Sequence, residues 1–288
     1  MRNLVYAIIY GSIIALGLPL NILSLWILLR HHGSKSPSAV FMVNLVISDL
    51  LLIISLSLRV YFYATDSWHL GEMWCVWFTM LFRNNIRTSS IFITIISVDR
   101  LLAVVYPIRS RLIRTPANAL KGSVLIWLIV LLVNVPESVG FLRTLDNQTC
   151  FDSVTGSLIN GTQTHQLKDK MLEITIGYFQ LVLLLTMLMV NIISTVMVSY
   201  TLQRHLNESA KVNNKLNVML IFAMNLMMFI VFFLPVSLVV FFDEMRPVLS
   251  CFASVNCCLD PLLYYFSFDG FWKRKEDVQM PLASRGTD

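Results

Sequence analysis

Charge is what this chain has least of. Only 14% of its residues are Asp, Glu, Lys or Arg, against 56% hydrophobic ones and a mean hydropathy of +0.70. That balance excludes a soluble globular domain. No internal repeat or low-complexity tract appears, so one domain with short connections is expected. The five cysteines show no paired spacing joined by histidines, which excludes a zinc site. There is no inverted-repeat pattern of the transporter kind and no pair of intramembrane aspartates set for proteolysis, so no catalytic residue is assigned and no enzyme is expected.

What is present is apolar length. A crossing needs about 20 apolar residues, and seven stretches supply it: Leu4 to Leu29, Val40 to Tyr63, Trp74 to Tyr106, Leu120 to Phe141, Ile174 to Gln203, Val212 to Phe242 and Pro247 to Phe268. The fold class is therefore an all-α membrane protein, a seven-transmembrane helix bundle over 1–268. Orientation follows from the basic residues. Arg30 and Lys35, the Arg100 to Lys121 group, Arg204, Lys211 and Lys215, and the Lys273 to Arg285 group fall on one side, and only Arg2, Arg143, Lys168, Lys170 and Arg246 on the other. The N-terminus is predicted outside and the C-terminus cytoplasmic. The net charge of +5 is mostly this bias and points to no nucleic-acid partner. The first stretch outruns a secretory h-region, carries Pro19 and Asn21 and lacks a clear small-residue cleavage site, so it is expected to stay as a membrane helix. Residues 269–277, with Gly270-Phe271-Trp272-Lys273-Arg274-Lys275, alternate aromatic and basic as a short amphipathic helix on the inner leaflet would, and 278–288 reads as a short cytoplasmic tail.

Cys75, at the outer mouth of the third span, and Cys150, in the outer loop after the fourth, share an oxidising compartment and are expected to form a disulfide. Cys251, Cys257 and Cys258 read as buried apolar fillers. Asn147 and Asn160 head acceptor sequons on the outer side, the glycosylation candidates.

The informative residues are those that hydrocarbon disfavours. Asp49, Arg59, Arg83, Arg87 and Asp260 lie inside spans, at about 2.5 to 3.5 kcal/mol each on insertion scales. Asn21, Asn44-Leu45 with Asp49, Trp68 with Cys75, Asp99-Arg100 followed by Tyr106-Pro107, Trp127, Phe229 with Phe233-Leu234-Pro235, and Asp260-Pro261-Leu262-Leu263-Tyr264 with Phe271 form an ordered set. By that set the chain resembles a class A, rhodopsin-like G-protein-coupled receptor over nearly its whole length. The resemblance implies a plasma-membrane location and a heterotrimeric G-protein partner. Asp99 is then expected to hold Arg100 in an ion pair at the cytoplasmic rim. Pro235 and Pro261 are expected to bend helices six and seven, with Phe229, Phe233, Asp260 and Tyr264 in the same switch. Asp49, Asn85, Ser89, Asn256 and Asp260 offer oxygen ligands near mid-membrane; in the family such a cluster commonly binds an allosteric sodium ion, and a water-filled polar network is the alternative. No other cofactor is expected.

Four departures stand out: Leu101 after Asp-Arg, Ser57 in helix two, Cys257 near the acid cluster, and no proline between Pro136 and Pro235, so helix five lacks its usual bulge. Arg59, Arg83 and Arg87 fall in the outer halves of helices two and three, with Arg246 at the mouth of helix seven, and the arginines are expected to lack an acidic partner inside the membrane. That pattern suggests an anionic headgroup gripped by guanidinium forks; the alternative is an arginine that snorkels or bonds to neighbouring helices. With no acid beside them in helix three, an amine ligand is disfavoured. Gly17-Leu18-Pro19-Leu20-Asn21, Ser57-Leu58-Arg59-Val60 with Tyr61 and Tyr63, Val105-Tyr106-Pro107-Ile108-Arg109-Ser110-Arg111, and Asn256-Cys257-Cys258-Leu259-Asp260-Pro261 are similar to the purinoceptor-related lysophosphatidic acid receptors. In that group a basic residue at the Arg59 position contacts the lipid phosphate. The expected ligand is a small anionic lipid; a small carboxylic acid or nucleotide is the alternative ligand, and a membrane transporter the alternative class.

Overall fold

Three helices begin where a proline stands in the first turn, because its missing N–H would be unsatisfied there anyway. Ser36 caps the Pro37 helix by accepting the Ala39 N–H at 3.2 Å, and Thr115 caps the Pro116 helix by accepting the Asn118 N–H at 3.2 Å. The structure, a computed structural model, describes residues 2–32, 36–144, 150, 163–204, 212–238 and 245–279. Its helices are α1 (Arg2–Ile27, ending in a π-type turn, Leu28–His32), α2 (Pro37–Thr65), α3 (Glu72–Val105), α4 (Pro116–Thr144), α5 (Gln163–Arg204), α6 (Val212–Met228) and α7 (Arg246–Gln279). Among the described residues seven helices are long and apolar enough to cross a membrane, matching the expected spans in number and order. The segment 269–277 is helical and continues α7 without a break. Asn147 and Asn160 lie outside the described residues, as does 280–288 of the expected tail.

The sixth crossing is not one regular helix. After Met228 the chain makes a π-type turn, Phe229–Phe233, in which the Leu234 N–H reaches the Phe229 carbonyl, and then a last helical turn, Leu234–Ser237. Pro235 explains it: a proline ring clashes with the carbonyl four residues back and donates nothing, and the wider turn moves that carbonyl aside. Phe229 and Phe233 sit fully buried there, with ring centroids 5.4 Å apart.

Between apolar helices in lipid the hydrophobic effect supplies little, so packing and interhelical hydrogen bonds set the arrangement. The central helix is α3, which touches α2, α4, α5 and α6. Asn191 of α5 donates to Thr94 at 3.0 Å and Asn225 of α6 to Ser97 at 2.6 Å, while Trp127 of α4 donates to Asn44 of α2 at 2.9 Å. The apolar residues on the far faces of α1, α4 and α5, such as Leu16, Leu132 and Val196, stay exposed toward lipid. On the outer side α2 stops at Asp66, in the left-handed region at φ 56°; Trp68 donates to the Gly71 carbonyl at 2.8 Å, and the disulfide Cys75–Cys150 joins Cys150, beyond α4, to the first turn of α3.

Helix α1 is fastened to α7 through Asn21, whose amide donates to the Cys257 carbonyl at 2.8 Å and to the Gly17 carbonyl at 2.9 Å. Gly17 lets the two helices approach: a Cβ there would lie 3.2 Å from Cys257 Sγ and 3.4 Å from Cys258 Sγ. Gly17→Val is therefore expected to cost about 1–3 kcal/mol by overpacking, whereas Gly11→Val, at a site with nothing within 4 Å, is expected to be near neutral. Thermal unfolding of the two purified variants checks this, and equal melting temperatures would contradict it.

Candidate functional site

Three polar sites lie along the bundle axis. At mid-membrane, Asn85 of α3 donates to Ser48 at 3.1 Å, Asp49 Oδ1 at 3.2 Å and Ser89 at 3.1 Å, and Asn256 of α7 donates to Asp260 Oδ2 at 2.9 Å. Asp49 and Asp260 lie within electrostatic reach of each other. All five candidate network residues are buried together. Two carboxyl groups this close require a shared proton or a cation between them. The donor set suits a hard cation: Asp49 Oδ2 and Asp260 Oδ1 are buried with no hydrogen-bond partner, and Ser89 adds a hydroxyl. Asn85 presents its amide nitrogen to the cluster, so it would have to flip to serve as a ligand. The Tyr264 hydroxyl and the Asn256 carbonyl oxygen are likewise buried without hydrogen-bond partners among the described residues.

The cytoplasmic rim differs from expectation. Asp99 takes Arg114, not Arg100: Arg114 Nε reaches Oδ1 at 2.7 Å and Nη2 reaches Oδ2 at 2.9 Å, a bidentate fork, and Ser38 donates to the same carboxylate. Successive side chains on a helix point about 100° apart, so Asp99 and Arg100 diverge, while a 3-10 turn, Arg109–Leu112, returns the chain and brings Arg114 under α3. Hydrogen bonding to Asp99 raises the pKa of the Arg114 guanidinium above its ordinary value, so it stays charged. Arg100 forms no ion pair among the described residues, and its Nε is buried without a hydrogen bond. In the sequence Arg114 falls among many cytoplasmic basic residues and, with Ile113 and Thr115, in a stretch similar to the lysophosphatidic acid receptors, but nothing there marks it as the partner of Asp99.

The outer half holds the arginines. Arg59 is buried, with its guanidinium carbon 4.3 Å from the Phe82 ring centroid and within electrostatic reach of Tyr10 and Cys251. Cys251 also lines an apolar groove of about 480 Å³ between α1 and α7, with Val5, Ile9 and Phe252 along its walls. The expectation that the arginines of α3 lack an acid is overturned. Glu137 of α4 pairs with both: with Arg83 through Oε1 and with Arg87 through Oε2 at 2.6 Å. Arg87 further donates to Asn134 at 2.8 Å and to Gln180 of α5 at 3.3 Å, and Asn134 donates to Asn84. Arg87 thus follows the structural alternative, binding α3 to α4 and α5. Glu137 was recoverable from sequence as an acid next to Pro136 inside the fourth span, where an uncompensated carboxylate would be costly. Arg246 begins α7, half-buried and on another wall of the bundle.

Seven crossings that enclose paired aspartates at mid-membrane, with an acid–arginine rim inside and buried cations outside, have the plan of a seven-helix signalling receptor. Residues 20–264 match the 7 transmembrane receptor (rhodopsin family), and the chain belongs to that family. It is a G-protein-coupled receptor and a multi-pass protein of the plasma membrane, not an enzyme or a transporter. It is 31% identical to lysophosphatidic acid receptor 4 of Homo sapiens, over 92% of this chain and 75% of that one. Identity to lysophosphatidic acid receptor 5 of Mus musculus is 32%, over 97% and 79%, and to lysophosphatidic acid receptor 6 of Gallus gallus 29%, over 92% and 90%.

Asp99 can serve Arg114 or Arg100 but not both in bidentate fashion. Arg114→Gln is expected to return Asp99 to Arg100 and so to lower both basal and ligand-driven nucleotide exchange, by about tenfold for a 1.4 kcal/mol shift in the equilibrium. Exchange assays at matched receptor density decide the sign; a rise would mean that Arg114 holds the resting state.

Proposed function

We propose that this receptor is activated by a single-chain anionic lipid, lysophosphatidic acid or a related lysophospholipid, and signals through heterotrimeric G proteins. The observation that carries the reading is Arg59: a guanidinium buried in the outer half of α2, within electrostatic reach of Cys251 on the wall of an apolar groove, in a chain similar along more than nine-tenths of its length to lysophosphatidic acid receptors. A buried guanidinium grips phosphate through paired N–H donors, and an acyl chain fits a groove walled by Val5, Ile9 and Phe252. Arg83 and Arg246 add positive charge at the headgroup and the entrance. Glu137, shared by two arginines, is not available to an ammonium, which keeps amine ligands disfavoured.

Headgroup binding would act on the switch residues Phe229, Phe233, Pro235, Asp260, Pro261 and Tyr264. The π-type turn before Pro235 gives the sixth crossing its point of weakness, and Pro261 stands inside the continuous α7 next to Asp260. At the rim, Arg100, which forms no ion pair among the described residues while Asp99 holds Arg114, would meet the G protein. Asp49, Asp260 and Ser89 would hold a sodium ion, which supplies the positive charge that the two carboxylates lack.

Arg59→Ala is expected to weaken lysophosphatidic acid by about 10- to 100-fold, the range for one charged hydrogen-bonded contact, measured as G-protein activation at equal surface level. An intact receptor that stays silent to lysophosphatidic acid, with working controls for several G proteins, would overturn the ligand assignment and point to carboxylates. For the mid-membrane site, Asp49→Asn is expected to abolish the dependence of agonist affinity on sodium concentration; unchanged sodium sensitivity would remove the ion from the mechanism.

A further inference from the structure

In the outer half of the bundle two guanidinium groups share one carboxylate, and they are not equivalent. Arg87 is 7% exposed and is surrounded by Glu137, Asn134 and Gln180. Arg83 is 21% exposed; it pairs with Glu137 and lies 5.6 Å from the Phe141 ring centroid, and among the described residues no other ion pair or side-chain hydrogen bond is found for it. The more accessible arginine is thus the one with fewer ties. Glu137 itself is 8% exposed and lies on α4, next to Pro136.

We propose that Glu137 occupies the place of a ligand anion at Arg83 in the ligand-free receptor, and that exchanging it for the headgroup makes the receptor select phosphate monoesters over monocarboxylates. The inference rests on the anionic-lipid reading above. Before binding, one carboxylate neutralises half of the pair's charge. On binding, Glu137 turns wholly to Arg87, the headgroup takes Arg83, and each guanidinium has its own anion. No proton or bond changes hands; only ion pairs are exchanged.

The selectivity follows from what each headgroup offers in that exchange. A carboxylate brings Arg83 the same single charge that Glu137 already supplies, and Glu137 repels it, so little is gained. A phosphate monoester brings a charge of about −1.5 to −2 and three acceptor oxygens, enough to displace the resident acid. Glu137 is therefore a specificity-determining residue that acts through Arg83.

The test is a matched oleoyl series, lysophosphatidic acid, oleate and monoolein, applied to the intact receptor and to Glu137→Gln, Glu137→Asp and Arg83→Gln at equal surface level, with G-protein activation as readout. Glu137→Gln is expected to lower the effective concentration of oleate by about tenfold and to narrow the preference for phosphate, with the neutral monoolein unmoved. Glu137→Asp, too short to span both arginines, keeps an acid on Arg87 and is expected to narrow the preference too, which covers the case in which the glutamine variant fails to reach the surface. Arg83→Gln is expected to weaken lysophosphatidic acid. An unchanged phosphate-to-carboxylate ratio in the Glu137 variants, or full lysophosphatidic acid potency in Arg83→Gln, overturns this inference and leaves the proposed ligand standing. Silence of the intact receptor to lysophosphatidic acid overturns the proposed ligand; if the Glu137 variants then also ignore every anionic member of the series, this inference falls with it, and an anionic response that appears only in them supports it.

Discussion

Hydrocarbon offers no hydrogen bonds, so a polar side chain inside a span must be answered by another helix or left at a cost of several kcal/mol. This bundle is organised around that constraint. Arg87 draws in Asn134 and Glu137 from α4 and Gln180 from α5; Asn21 reaches the α7 backbone; Asn191 and Asn225 reach α3. Because packing between apolar faces is nearly as good against lipid as against a neighbour, these contacts specify which helices meet and at what rotation. Helix five shows the consequence: it lacks the proline that would bulge it, yet Gln180 and Asn191 tie it to α3 at two levels.

The same economy makes the bundle switchable. Each end has one carboxylate beside two guanidinium groups: outside, Glu137 pairs with both Arg83 and Arg87; inside, Asp99 takes Arg114 and the adjacent Arg100 has no ion pair among the described residues. Arrangements with fewer anions than cations have alternative pairings close in energy, and a ligand or partner that supplies an anion or a cation shifts them. At mid-membrane the imbalance is reversed: among the described residues neither Asp49 nor Asp260 forms an ion pair.

The legible part of the candidate site was its inventory of expensive residues. Asp49, Asn85, Ser89, Asn256 and Asp260 could be grouped from spacing and depth, and the structure brings them together because their helices all face the axis. The arginines of α3 were legible as residues but not as a pair already neutralised, since Glu137 lies fifty residues away on another helix and its rotation toward α3 is invisible in a linear pattern. Asp99 misled for a related reason. Adjacency in sequence suggested Arg100, but adjacency on a helix turns side chains apart, and the loop beyond Tyr106 supplied the nearer cation.

The sequence by itself determined the number and order of the crossings, and the disulfide between Cys75 and Cys150. Hydropathy and the Lys/Arg bias act on each segment independently, segment by segment against the bilayer, and so can be read without neighbours. Only the tertiary structure decided who answers whom: Glu137 for Arg83 and Arg87, Arg114 for Asp99, and the widened turn at Phe229 for Pro235. Those choices depend on the rotation and depth of one helix relative to another, which are set by packing around residues such as Gly17 and not by the composition of any one span.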